Sequence, residues 1–159
     1  MTAKSASILE VVTLEANDQS QDVDIRNGVM SIDYYEDIFS PTVTAKILVY
    51  NTGDSIEGKD GKLQSIYNGL PLRGGERVSI RIAPNTEDNG GLDFSENYQD
   101  YLYVSSVTNV ITQAKKETFT LNLVSREAIT NETTRVPIKF PSSSTIAVSY
   151  THLTLPTKA

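Results

Sequence analysis

Apolar and polar residues alternate at every second position along much of the chain. The clearest run is Thr42–Tyr50. Val43, Ala45, Ile47 and Val49 fall on one face, and Thr44, Lys46, Leu48 and Tyr50 on the other. A period of two carried by β-branched side chains predicts a half-buried strand. Pro41 stands just before it, where no ladder N–H is needed, and Asn51-Thr52-Gly53 ends it. This strand is expected at the centre of the sheet.

Other runs follow the same logic. Residues 7–15 are apolar on both parities, which predicts a strand covered on both faces. Residues 23–25 and 29–34 are two short pieces broken at Arg26-Asn27-Gly28, where Asn-Gly favours a turn or bulge. Residues 76–83 place Val78, Ile80 and Ile82 inward. Residues 98–112 form a long strand whose apolar parity changes between Val104 and Val107, predicting a bulge near Ser105-Ser106. Residues 118–124 alternate Phe119, Leu121 and Leu123 against Thr118, Thr120 and Asn122. Residues 135–140 are a last extended piece. One helical turn is expected near 63–67, ended by Asn68-Gly69, and a short helix over 126–132 behind Ser125. The long loops 54–75 and 85–97 are polar, and the glycine-containing stretch 54–62 is expected to be mobile. The sum is a mostly β, antiparallel fold of about seven strands with one or two short helices, closed as a barrel or packed as a sandwich.

Composition narrows the chemistry. The 159 residues suit one domain. With no cysteine there is no disulfide framework, thiol nucleophile or thiolate metal site. A net charge of −6 argues against a general groove for nucleic-acid phosphates. No apolar run approaches the ~20 residues of a membrane-spanning helix, and the first apolar run, Ile8–Val12, is too short and too acidic for a signal peptide.

Three patterns imitate chemical sites. Gly53–Lys59 has the glycine and lysine spacing of a phosphate loop, but Asp60 stands where a magnesium-binding hydroxyl belongs. Residues 85–96 imitate a calcium loop at Gly90, Leu92, Asp93 and Glu96, yet Asn85 and Glu87 occupy the first and third positions and the flanks read as strands. Glu36 and Asp37 are neighbours, and neighbours on a strand point to opposite faces, so they do not flank one glycosidic bond. No enzyme activity, metal or cofactor is expected. The corner holding Tyr34, Tyr35, Ile38 and Phe39 among acids is expected to be an interface. An alternative is a carbohydrate-binding β-sandwich using Tyr34, Tyr35 and Phe39 as a stacking platform.

The runs Asp24–Gly28, Asp33–Pro41 and Val49–Gly53 resemble the N-terminal part of baseplate hub subunits of contractile-tailed bacteriophages. Gly69–Glu76 and Leu123–Glu132 are similar to the same group, and the resemblance covers roughly 5–145. It implies a tail-tube-type β-barrel in a structural virion protein. Such a hub is a homotrimer when full length. It joins the tail tube protein to the spike protein around a channel through which DNA passes without specific binding, and it has no contact with a membrane. The corner and the loop 54–75 would then contact a neighbouring subunit or the tube.

Residues 147–159, AVSYTHLTLPTKA, carry the single histidine, His152. They resemble the translation of a sequencing-library adapter. The expectation is a hub domain over 1–146, truncated, followed by a non-native tail over 147–159 that adds nothing to folding.

Overall fold

The computed structural model describes residues 6–54, 56–57, 61–70, 72–86, 90–96 and 100–135. The elements are β1 (Ile8–Glu15), β2 (Asp22–Asp24), a 3-10 turn (Arg26–Gly28), β3 (Val29–Tyr35), β4 (Thr44–Thr52), β5 (Ile56–Glu57), β6 (Leu63–Gln64), α1 (Ile66–Gly69), β7 (Arg77–Ala83), β8 (Leu92–Phe94), β9 (Leu102–Gln113), β10 (Lys116–Val124) and α2 (Arg126–Thr133). The extended piece expected at 135–140 and the tail at 147–159 lie beyond the described residues, apart from Arg135.

Eight strands form one antiparallel sheet in the order β2-β1-β7-β9-β10-β4-β3, with β8 added to β7; β5 and β6 pair separately. β2 and β3 end the sheet and do not pair with each other, so the sheet is not closed into a barrel. It has two halves. β2, β1, β7 and β8 make one, and β9, β10, β4 and β3 the other. Between them β7 meets β9 only at Arg77–Tyr103 and Val78–Leu102. Two flanking backbone bonds, Gly75 N–H to Val104 O (2.7 Å) and Val104 N–H to Glu76 O (2.9 Å), reinforce that seam. Val12, Leu14, Val78 and Ile80 from one half and Ala45, Ile47, Val49, Phe119, Leu121 and Leu123 from the other join a single buried cluster. The two halves thus enclose one core in sandwich fashion, as each sheet face with an apolar parity must bury it.

The strand 44–52 is not the centre of the sheet. β4 lies next to the terminal strand β3, and β9 is in the middle. Its alternation is as expected, with Ala45, Ile47 and Val49 buried. β10 continues the pattern: Glu117, Phe119, Leu121 and Leu123 are all buried.

β1 is not covered on both faces. Its register against β7 slips between Leu9 and Val11, so the inward parity changes along the strand. Val12 and Leu14 are buried while Ile8 is exposed. A bulge, rather than a second covering layer, makes both parities apolar.

β9 carries the bulge expected near Ser105-Ser106, since Asn122 pairs with Ser106 and Leu123 with Val104. A second irregularity follows, where Thr118 faces Ile111 but Thr120 faces Thr108. Asn109 sits there at φ +54°. Beyond Val104 the strand is largely exposed, including Ile111.

Candidate functional site: an apolar corner on a pinned turn

The chain leaves β3 at Tyr35 and enters β4 at Thr44 through a short ordered loop. Asp37 organises it. Its Oδ1 accepts the Phe39 N–H (2.9 Å), and its carbonyl accepts the Ser40 N–H (2.9 Å). Such side-chain-to-backbone bonds two residues on are what favour aspartate in turns. The Ser40 hydroxyl then bonds Thr42 through its carbonyl (3.1 Å) and its N–H (3.3 Å). The loop is anchored at its far end to the start of α2. Val43 N–H donates to Ser125 Oγ (3.2 Å) and Ser125 N–H to Val43 O (2.9 Å).

This frame turns Ile38 and Phe39 outward. They are 93% and 94% exposed, and Tyr35 beside them is 54% exposed. Tyr34 differs from its three companions. It points inward, packs against the core and tilts its ring against Phe94 at 5.8 Å. Its hydroxyl donates to Glu36 Oε2 (2.9 Å). Burial, that hydrogen bond and the Glu36 charge all raise the Tyr34 pKa above the usual phenol value, because each disfavours the phenolate. The corner presented to solvent is therefore Tyr35, Ile38 and Phe39. Tyr34 is its footing.

Glu36 and Asp37 lie on the loop, not on a strand. One holds Tyr34 and the other holds the turn. The two motif-like loops fall partly within the described residues. Ile56 and Glu57 of the phosphate-loop pattern form β5, while 55 and 58–60 fall outside the described residues. Asp93 of the calcium-loop pattern lies in β8. It accepts from Ser95 N–H (2.9 Å) and lies 3.4 Å from Arg81. The Ser95 hydroxyl bond, with a smaller contribution from Arg81, holds its carboxyl below the usual range. Residues 87–89 of that loop are outside the described set.

The loop 54–75 was expected to offer contacts, with its stretch 54–62 mobile; four apolar residues of its described part are built into the core. Ile56, Ile66, Leu70 and Leu72 are buried. Gly69 passes so close to Ile56 that a Cβ there would lie 2.6 Å from its Cγ2. Two buried carboxylates hold the segment. Glu117 of β10 accepts from Ile66 N–H (2.7 Å), Tyr67 N–H (3.3 Å) and Asn51 Nδ2 (2.8 Å). It satisfies the free N–H groups at the start of α1 that no side chain of its own turn caps. Glu76 accepts from Arg73 N–H (2.8 Å) and Gly74 N–H (2.9 Å). Sequence reasoning missed both, although a signal was present. Glu117 falls on the inward parity of β10 with Phe119, and Glu76, one residue before β7, continues the inward parity of Val78.

An open cleft of about 370 Å³ lies between the β1–β2 turn and this segment, lined by Asn17, Asp18, Gln21, Glu57, Leu70 and Arg73. Its polar side chains are amides, carboxylates, the Ser20 hydroxyl and one guanidinium. Among the described residues no group of three or more His, Asp or Glu is placed to hold a metal ion. No helix of the described residues is long and apolar enough to cross a membrane. No known protein family, curated protein or solved structure matches the chain.

Proposed function

We propose that this chain is a structural assembly module, the tail-tube-like domain of a baseplate hub subunit that links a phage tail tube to its central spike. The observation that carries an assembly role is the corner. Two large apolar side chains stand almost fully in water on a turn that is hydrogen-bonded at both ends. Burying each against a partner would contribute roughly 1.5–3 kcal/mol, and the pinned turn lowers the ordering cost of docking. The hub assignment rests on the sequence resemblance over 24–53, 69–76 and 123–132; the fold agrees with it in being mostly antiparallel β, but the sheet is open where the resemblance implies a closed barrel.

The hub reading is tested on the full-length gene product. Light scattering is expected to give a trimer, and the protein is expected to bind its cognate tube protein. Phe39→Asp is expected to weaken that binding without unfolding the domain. A monomeric full-length protein that ignores the tube protein would overturn it. The alternative, a carbohydrate-binding sandwich, has a reduced platform, because Tyr34 is packed against Phe94 and only Tyr35 and Phe39 remain outward. A glycan array probed with the wild type and with Phe39→Ala separates the two.

A further inference from the structure

The β5–β6 pair and the eight-stranded sheet share a chain but no ladder. The last backbone bond to the sheet before β5 is Gly53 N–H to Lys115 O (2.7 Å). Its acceptor lies in the two-residue turn Ala114-Lys115, left between the paired Gln113 and Lys116. The next is Gly75 N–H to Val104 O (2.7 Å). Among the described residues between Gly53 and Gly75, no backbone-to-backbone hydrogen bond reaches the sheet.

The segment is bonded to itself instead. Ile56 pairs with Gln64, and Glu57 with Leu63. Gly69 N–H donates to Ser65 O (2.7 Å) and Leu70 N–H to Ile66 O (3.1 Å), which closes α1. Gly69 lies directly against the Ile56 side chain, so α1 sits on β5. β5, β6 and α1 are one small unit with backbone bonds of its own.

Side chains fasten this unit to the sheet. Ile56, Ile66 and Leu70 are buried in the common core. The Tyr67 ring lies 6.3 Å from the ring of Phe119, which is fully buried on β10. Glu117, on the same face of β10, accepts from the Ile66 and Tyr67 N–H groups. Its remaining donor, Asn51, belongs to β4 and thus to the sheet. The carboxylate is therefore held from the sheet side whether or not α1 is seated on it.

We infer that β5, β6 and α1 form a lid that opens as one piece while the eight-stranded sheet stays folded, with Glu117 as its latch. Opening gives up the two N–H bonds to Glu117 and uncovers Phe119, yet it breaks no ladder bond of the sheet. Sub-global opening selects units that are joined to the rest in this way. Exposing Ile56, Ile66, Leu70 and Phe119 to water keeps the open form a minor one. Asn51 keeps the carboxylate aimed at α1, which favours reclosure. The open form presents an aromatic ring beside a carboxylate, a surface that the closed form hides. The lid involves neither the corner nor the tube protein, so it and the hub reading can fail separately.

The chain has no cysteine, so one introduced thiol reports one position. Leu70→Cys places it under the lid, and Ile47→Cys in the core of the sheet. Labelling of a buried thiol follows the population of the open form when closing is fast. Leu70→Cys is expected to react at least about tenfold faster than Ile47→Cys in the absence of denaturant. Its rate is expected to depend only weakly on urea below the unfolding transition, because the lid exposes little surface. Adding Glu117→Gln is expected to speed the Leu70→Cys reaction at least about fivefold. Hydrogen exchange of the unmodified chain gives the same reading without a core substitution. The Gly69 and Leu70 amides are expected to share one opening, more frequent than that of the β4 and β10 amides.

Equal labelling of the two thiols with the same urea dependence overturns the proposal, since lid and sheet would then open only together. Gly69 and Leu70 amides that exchange in step with β10 overturn it as well. A Leu70→Cys rate unmoved by Glu117→Gln does so too, because the carboxylate would then be no latch.

Discussion

The loops 36–43 and 54–75 contain the same ingredients, acids and large apolar residues between two strands, and put them to opposite uses. In 54–75 the apolar side chains Ile56, Ile66, Leu70 and Leu72 are inside. Glu117, on β10, holds the loop from a strand far along the chain by its backbone N–H groups, and Glu76, just before β7, holds the loop's end locally. In 36–43 the acid is the loop's own Asp37. It folds the loop back on itself and leaves Ile38 and Phe39 outside. A carboxylate on a neighbouring strand draws a loop down, whereas one within the loop stiffens it in place. Local polarity does not decide which loop is buried.

The largest expected effect sharpens this contrast. Ile56→Ala is expected to cost about 2–5 kcal/mol in a urea melt, from lost burial and the cavity left behind. Phe39→Asp is expected to change stability by no more than about 0.5 kcal/mol. Equal costs would mean that the two loops are not differently built. Next, Glu117→Gln keeps the side chain's size but offers one acceptor oxygen in place of two and places an NH2 among backbone donors. The expected cost is about 1–3 kcal/mol, with faster hydrogen exchange at Ile66 and Tyr67 as its local signature. Glu36→Gln is expected to have only a small effect on stability at neutral pH.

The footing of the corner can be read by titration. Tyr34 has its pKa raised in the folded state. Its contribution to stability is therefore fully present below the ordinary tyrosine pKa of about 10. It is lost as pH rises through the higher folded value. Glu36→Gln removes the charge and weakens the acceptor, so the Tyr34 ring carbon signal in an NMR titration is expected to move its midpoint back toward the ordinary value. An unchanged midpoint would mean that burial alone sets it.

The strands β3, β4, β7 and β10 were legible because each carries a period of two over enough residues to be distinct from a helix; β1 and β9 were legible as long apolar runs, and the three-residue β2 only from the turn signal at Arg26-Asn27-Gly28 behind it. The Ser105 bulge was legible too, since it flips parity between Val104 and Val107. The bulge in β1 also flips parity, but Leu9 and Val11 made the flip look like two apolar faces. The short strands β5, β6 and β8 could not be read. Two or three residues give no period, and long-range pairing decides them. Glu76 and Glu117 were hidden because a carboxylate is normally assigned to solvent, and only their parity says otherwise. Of the corner, Tyr35, Ile38 and Phe39 are exposed and Tyr34 is not. The inward turn of Tyr34 depends on Phe94, a residue far along the chain.

The two-residue turn at Ala114-Lys115 also bears on the order in which the molecule can form. β9 and β10 need nothing but each other to pair, and closing so short a loop takes microseconds or less. β1 is made first and its last three residues pair locally with β2, but only β7 pairs with its whole length, with Glu15 opposite Arg77 and Ile8 opposite Ala83. Its apolar residues must wait for more than half the chain to leave the ribosome. Pulse-labelled hydrogen exchange during refolding is expected to protect β9 and β10 amides before those of β1. The first strand in the sequence would then be among the last to find its place, as the price of a seam that joins distant parts of the chain.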